Sequence, residues 1–292
     1  NLELKKNKSN FSINGKSFDA TQLISNSMSD DESTTIFENF NSKFNIKIGT
    51  TYINKNDYTK NLAGYFTFKN NKLDKLNLAS TFSNNKKMNL SIETNNQNET
   101  VTKFSSDYPK PLIKRYDFIK GFEEGYLNFN SIKKDGVSNS VLIIDNFKVK
   151  EVPVFAKLLS LASLQGIADL LTGEGIRFTD FEMRYSSQKG LTNIEEMYAI
   201  GPAISILMDG YIESKKLVSL RGTLVPATTI NRSIASIPLL GKILIGEKTG
   251  EGVFGVSFKI KGPPKNLSTT VNPIKTLTPR FITRTLEKIK KN

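Results

Sequence analysis

The sequence predicts a mainly β fold: a long antiparallel sheet, with a few helices near its C-terminal end. Three observations predict it. From Phe44 to Val149 the apolar residues recur with a period of two. Polar turns break that run at short intervals, which makes successive strands antiparallel neighbours. No helix-length period interrupts the run, which argues against a parallel α/β sheet.

The strands follow in order. "FNIKIGTTY" places Phe44, Ile46, Ile48 and Tyr52 on one face. "KLNLASTF" does the same with Leu76, Leu78 and Phe82, and "MNLSI" with Met88, Leu90 and Ile92. Each reads as a half-buried strand with one wet face. Turns are expected at Asn70-Asn71, Asn84-Asn85 and Asp135-Gly136, where Asn and Gly tolerate positive φ. Beyond Gly175 the strands resume. "GIRFTDFEMRYS" puts Phe181, Met183 and Tyr185 together, and "AISILMDGYI" is apolar on both faces. "VFGVSFKIKG" sets Phe254, Val256, Phe258 and Ile260 on one side.

Three segments read as helices. From Val154 to Leu171, twelve of eighteen residues are apolar, enough for a helix of roughly 27 Å. Lys157, Gln165, Gly166 and Asp169 interrupt it, so it reads as a cap packed on a sheet rather than a membrane span. Leu158, Leu161, Leu164, Ile167 and Leu171 are its capping residues. Thr229–Ile245 is the second segment, interrupted by Pro238. The third starts at Thr278 with Pro279 in its first turn. Its narrow stripe of Ile282, Leu286 and Ile289 is ringed by Arg280, Arg284, Lys288 and Lys291, which suit either a helix docked on the sheet edge with its charges in water or docking at an anionic membrane surface.

Composition narrows the chemistry. The 292 residues are 38% hydrophobic and carry a net charge of +13. The lysines are spread along the strands, and no RNA-binding signature or zinc-finger spacing appears, so nucleic acid is not an expected partner. The chain has no Cys and no His. It therefore lacks the usual nucleophile–base pairs, the usual zinc ligands and the usual neutral-pH proton shuttle. No enzyme activity and no cofactor are expected. "GEGVFG", Gly250 to Gly255, matches a dinucleotide fingerprint in letters, but the fingerprint needs a strand before it and a helix after it. Here the order is reversed, so it reads as a turn opening a strand. The carboxylate pairs Asp30-Asp31, Glu123-Glu124 and Glu195-Glu196 are adjacent, and neighbours on a strand point to opposite faces rather than converging.

Four ordered blocks carry a resemblance. They are "LLSLASLQGIADLLTGEGIRFTDFEMRYS", "GPAISILMDGYIESKKLVSLRGTLVPA", "IPLLGKIL" and "GEGVFGVSFKIKGPPKNLSTTVNP". Together, over about Val152 to Thr285, they resemble the C-terminal region of AsmA-like proteins, the YhdP/TamB-type superfamily of diderm bacterial envelopes. The closing "VNPIKTLTPRFI" is similar to its alphaproteobacterial members. Residues 1–150 are similar only in style, as repeated amphipathic strands.

The resemblance implies a long, curled antiparallel sheet with an open apolar groove. It implies an inner-membrane anchor upstream, a body in the periplasm, and phospholipid as the partner moved between membranes. It supplies no catalytic residues. On this reading residues 1–150 are groove strands and residues 151–292 the AsmA-like region with capping helices. The groove candidates are Leu76, Leu78, Phe82, Met88, Leu90, Ile92, Phe181, Met183, Tyr185, Phe254, Val256 and Phe258. The alternative is an assembly factor that engages other β-proteins of the envelope through its sheet edge. The chain starts as though in mid-strand and reads as the C-terminal part of a longer protein.

Overall fold

The structure, a computed structural model, describes residues 2–8, 10–22, 41–113, 121–161, 173–226, 255–264 and 266–274. The predicted helices at Thr229–Ile245 and from Thr278 onwards lie outside the described residues.

Fifteen strands form one sheet in which spatial order follows chain order. They are β1 (Leu2–Asn7), β2 (Asn10–Asp19), β3 (Ser42–Tyr52), β4 (Tyr58–Lys69), β5 (Lys72–Phe82), β6 (Lys87–Thr94), β7 (Thr100–Ser106), β8 (Glu123–Lys134), β9 (Val137–Val149), β10 (Ile176–Gln188), β11 (Leu191–Ile200), β12 (Ile204–Glu213), β13 (Leu217–Pro226), β14 (Gly255–Gly262) and β15 (Ser268–Ile274). The sheet is open, with β1 and β15 at its edges. Among the described residues there are two short helices, α1 (Lys110–Ile113) and α2 (Pro153–Leu161).

The tight turns are built as the sequence demands. Asn70 and Asn71 have φ of 49° and 64°, and Asp135 and Gly136 have 50° and 79°. Two successive positive φ values suit a two-residue hairpin, whose twist matches that of its strands. Pairing is antiparallel for β1–β2, from β3 through β8, and from β11 through β15. In contrast, β2–β3 is parallel, with Phe11 beside Phe44 and Ile13 beside Ile46. A parallel neighbour needs a crossover of a dozen or more residues, and the 22 residues between Asp19 and Ser42 supply that length.

The chain divides into two compact units. The first holds β1 to β7, α1, β8 from Glu124, β9 to Ile144 and the β10–β11 turn at Ser186–Gly190. Its strands carry side chains of two kinds on two faces, because register partners share a face. One line across the apolar face runs Phe11, Phe44, Phe66, Leu76, Ile92. The next runs Leu4, Ile13, Ile46, Gly64, Leu78, Leu90, Phe104, Phe129. The first line holds a phenylalanine ladder: Phe44 stacks at 4.7 Å on Phe11 on one side and on Phe66 on the other.

The second unit holds Tyr116–Glu123, Asp145–Tyr185 and the chain from Leu191 onwards. Its described core includes Leu158, Leu159, Ile176, Ile204, Leu224, Val225 and Val256, all under 2% exposed. Helix α2 packs against β15. Its buried face centres between Leu158 and Leu159, and Leu161, about 110° round from that centre, is 48% exposed. Leu161 therefore does not share the capping face assigned to it, and Leu159 does. Leu164, Ile167 and Leu171 lie outside the described residues.

Candidate functional site

The candidate surface is the apolar face of the first unit. Leu76 and Leu78 on β5 stand opposite Ile92 and Leu90 on β6, and Leu90 in turn stands opposite Phe104 on β7. All of these are half-buried, as is Met88, which faces Ser80. The intervening residues Lys75, Asn77 and Asn89 are exposed. The alternation read from the sequence thus separates the two sides of β5 and β6, because a period of two sends successive side chains to opposite faces.

Phe82 differs from the other β5 and β6 candidates. It is 3% exposed and its ring meets Tyr108 edge-on at 5.3 Å. It closes one end of the face instead of lining an open part of it. The strands change phase to reach that end. On β3 the buried side chains run Phe44, Ile46, Ile48 and then shift by one to Thr51. Facing this shift, Asn61 has a φ of 54° and the β4–β5 register slips between Lys60 and Ala63. A bulge of this kind swaps which residues face inward. Thr51 pairs with Thr59, and Thr59 with Phe82, so both threonines join Phe82 and Ser80 on the buried side.

The reverse face is polar. A shallow hollow of about 430 Å³ on β5–β8 is lined by Asn77, Ser91, Lys103 and Asn130, by Asn89, Ser105 and Asn128, and by Leu78, Leu90, Phe104 and Phe129 of the line between them. Lys75 and Glu93 face each other here at 2.6 Å. That bond holds the Glu93 carboxyl below the ordinary carboxylate range and raises the Lys75 ammonium. Glu99 is lowered by a hydrogen bond from Asn95 and by Lys134.

In the second unit the apolar candidates are buried more deeply. Val256 and Phe258 are 0% and 4% exposed. A Cβ on Gly222 would fall 2.6 Å from the Phe258 ring, so the ring lies across a position only glycine leaves open. These two residues are core, not an open lining. Phe181, Met183 and Tyr185 are half-buried, while Ile176, Phe178 and Glu182 on β10 are buried. Phe147 links Phe178 and Phe181, stacking on the first at 5.4 Å and meeting the second edge-on at 6.2 Å. Phe254, Arg280, Arg284, Lys288 and Lys291 lie outside the described residues.

Sequence reasoning missed two polar features. Glu182 is 8% exposed, and its carboxylate accepts hydrogen bonds from Tyr198 Oη at 2.5 Å and Arg184 Nε at 2.7 Å. Glu196 is 4% exposed, at a bulge where Ile194 pairs with Gly210 and Met197 with Met208. The adjacent pair Glu195-Glu196 splits, with Glu195 outward, as opposite faces require. Among the described residues no cluster of three metal-binding side chains occurs, and no helix is long and apolar enough to cross a membrane. Comparison with protein-family models, with curated proteins and with solved structures finds no match.

Proposed function

We propose that this chain is a non-enzymatic envelope protein whose apolar sheet face carries phospholipid acyl chains between the inner and outer membranes of a diderm bacterium, and so supports outer-membrane integrity. The observation that carries this reading is the line from Leu4 through Ile13, Ile46, Leu78, Leu90 and Phe104 to Phe129. It runs across eight strands, β1 to β8, and meets no charged side chain. From Ile13 onwards the side chains on this line remain half-buried rather than sealed. Each methylene laid on such a face contributes about 0.8 kcal/mol, so an acyl chain is held without specific polar contacts. The resemblance to AsmA-like proteins points the same way, and with it come a periplasmic location and an upstream inner-membrane anchor. The test is mass spectrometry of organic extracts of the chain purified from a bacterial host. Phospholipid at a stoichiometry near one or above is expected, and lipid-free protein would overturn the reading.

A second reading rests on a different observation. At the β1 edge Leu2 and Leu4 are 47% and 61% exposed, and a flat edge with apolar residues accepts an added strand. The chain would then be an assembly factor engaging envelope β-proteins. Replacing Glu3, on the opposite face of β1, by Pro would block strand addition at this edge and leave lipid capture at Leu78 intact.

A further inference from the structure

We propose that Tyr108–Ile113 is a detachable cap over one end of the first unit's apolar face, seated on hydroxyl groups that water claims when the cap lifts. The floor at this end is unusual for a buried contact. Thr51, Thr59 and Ser80 are 7%, 0% and 4% exposed, and the hydroxyl oxygen of each has no hydrogen-bond partner. Closing over such groups strips them of water and returns nothing, whereas methyl groups in the same places would favour closure.

The cap itself is weakly anchored. Pro109 and Pro111 are fully buried but offer no N–H to a neighbouring strand. Helix α1 has four residues, too few to hold itself together. Ties between the cap and its surroundings include the Tyr108 ring on Phe82, Tyr108 N–H donating to Ser106 Oγ at 3.2 Å, and Asn54 Nδ2 donating to the Pro111 carbonyl at 3.4 Å. Inside it, Leu112 and Ile113 N–H both donate to the Pro109 carbonyl. An element with so little regular structure, over a penalised floor, opens locally, ahead of the strands beside it. Lifting it would uncover the Phe82 end of the apolar face.

Amide hydrogen exchange on the full chain tests this without any lipid. Leu112 and Ile113 amides are expected to exchange far faster than those of Leu90 and Phe104. The triple variant Thr51→Val, Thr59→Val, Ser80→Ala should slow exchange at Leu112 and Ile113 by about tenfold or more and leave Leu90 unchanged. Tyr108→Ala, which keeps the sheet residues intact, should speed exchange at the same two amides by about fivefold or more. Equal protection of cap and strands in the unaltered chain, or a triple variant that exchanges at the original rate, would overturn the proposal. If the exchange pattern holds while purified protein carries no lipid, the cap stands and the transfer reading falls.

Discussion

Leu78 and Leu90 stand directly opposite each other on β5 and β6, and one step along each strand Asn77 and Ser91 stand opposite each other on the reverse face. A single residue step therefore separates an apolar surface from a polar one. The proposed function predicts that the step has a measurable consequence.

Photo-crosslinking amino acids at Leu78 and Leu90 should capture phospholipid in cells, and the same groups at Asn77 and Asn89 should not. Equal labelling of both faces would rule out a one-sided lipid surface.

The phenylalanine ladder predicts a stability effect. Phe44 stacks on two rings at once. Phe44→Ala loses both contacts and part of a buried side chain, and should cost about 2–4 kcal/mol. Phe44→Leu keeps most of the apolar volume and should cost about 1 kcal/mol. Urea denaturation followed by circular dichroism measures both.

Gly64 sits in the apolar line between Ile46 and Leu78 with a φ of 151°, and a Cβ there would fall 1.9 Å from the Asn77 carbonyl oxygen. Neither the backbone conformation nor the space admits a side chain. Gly64→Ala should destabilise the first unit by about 2 kcal/mol or more. A neutral outcome in the same denaturation assay would show that β4 and β5 part easily at this point.

Tyr198→Phe removes the hydroxyl that donates to Glu182 inside the second unit. The buried carboxylate keeps Arg184 but loses a partner, which should cost about 1–3 kcal/mol. Tyr198→Phe combined with Glu182→Gln should cost less than the sum of the two single changes, as a double-mutant cycle would record.

The ion pairs on the polar faces give the stability profile its direction with pH. Glu93 and Glu99 are lowered in the folded chain, so their contribution is present above the ordinary glutamate pKa and is lost as pH falls through their lowered values. Lys75 and Lys216 are raised, so theirs is present below the ordinary lysine pKa and is lost as pH rises through the raised values. Glu93, Lys75 and Lys216 are exposed and Glu99 is half-buried at the surface, so the effects should be small and should fade as salt is added. NMR titration of the Glu93 and Glu99 carboxyls in low and high salt checks the sign.

Much of the sheet was legible in the sequence because burial of one face writes a period of two. Leu76, Leu78, Leu90 and Ile92 could be placed on one side from spacing alone, and Asn70-Asn71 announced its turn by tolerating positive φ. The parallel β2–β3 pair was not legible, since alternation says which face a residue takes and nothing about the direction of its neighbour. Helix α1 was missed because four residues show no helical period. Thr51, Thr59 and Glu182 were missed for a common reason: polarity reads as exposure, and these side chains are buried. Phase shifts hid the two threonines further, because strict alternation carried past Gly49 on β3, or past Asn61 on β4, assigns each to the wrong face.

The agreement between strand order and chain order has a consequence for how such a chain folds and varies. Apart from the crossover into β3, the 16 residues between β7 and β8 and the 28 residues between β13 and β14, the strands of known register pair across short connections, so most of the contacts that define the sheet are close in sequence. Chains of this kind fold quickly for their size and extend from whichever hairpin forms first, since each new strand needs only its predecessor as a template. Stability then accumulates roughly strand by strand instead of depending on one central closure. Inserting or deleting a whole hairpin would leave each remaining face in phase and change the sheet's width by about 4.8 Å per strand. Width, in a molecule built this way, is a quantity that duplication of short segments can adjust without redesigning a core.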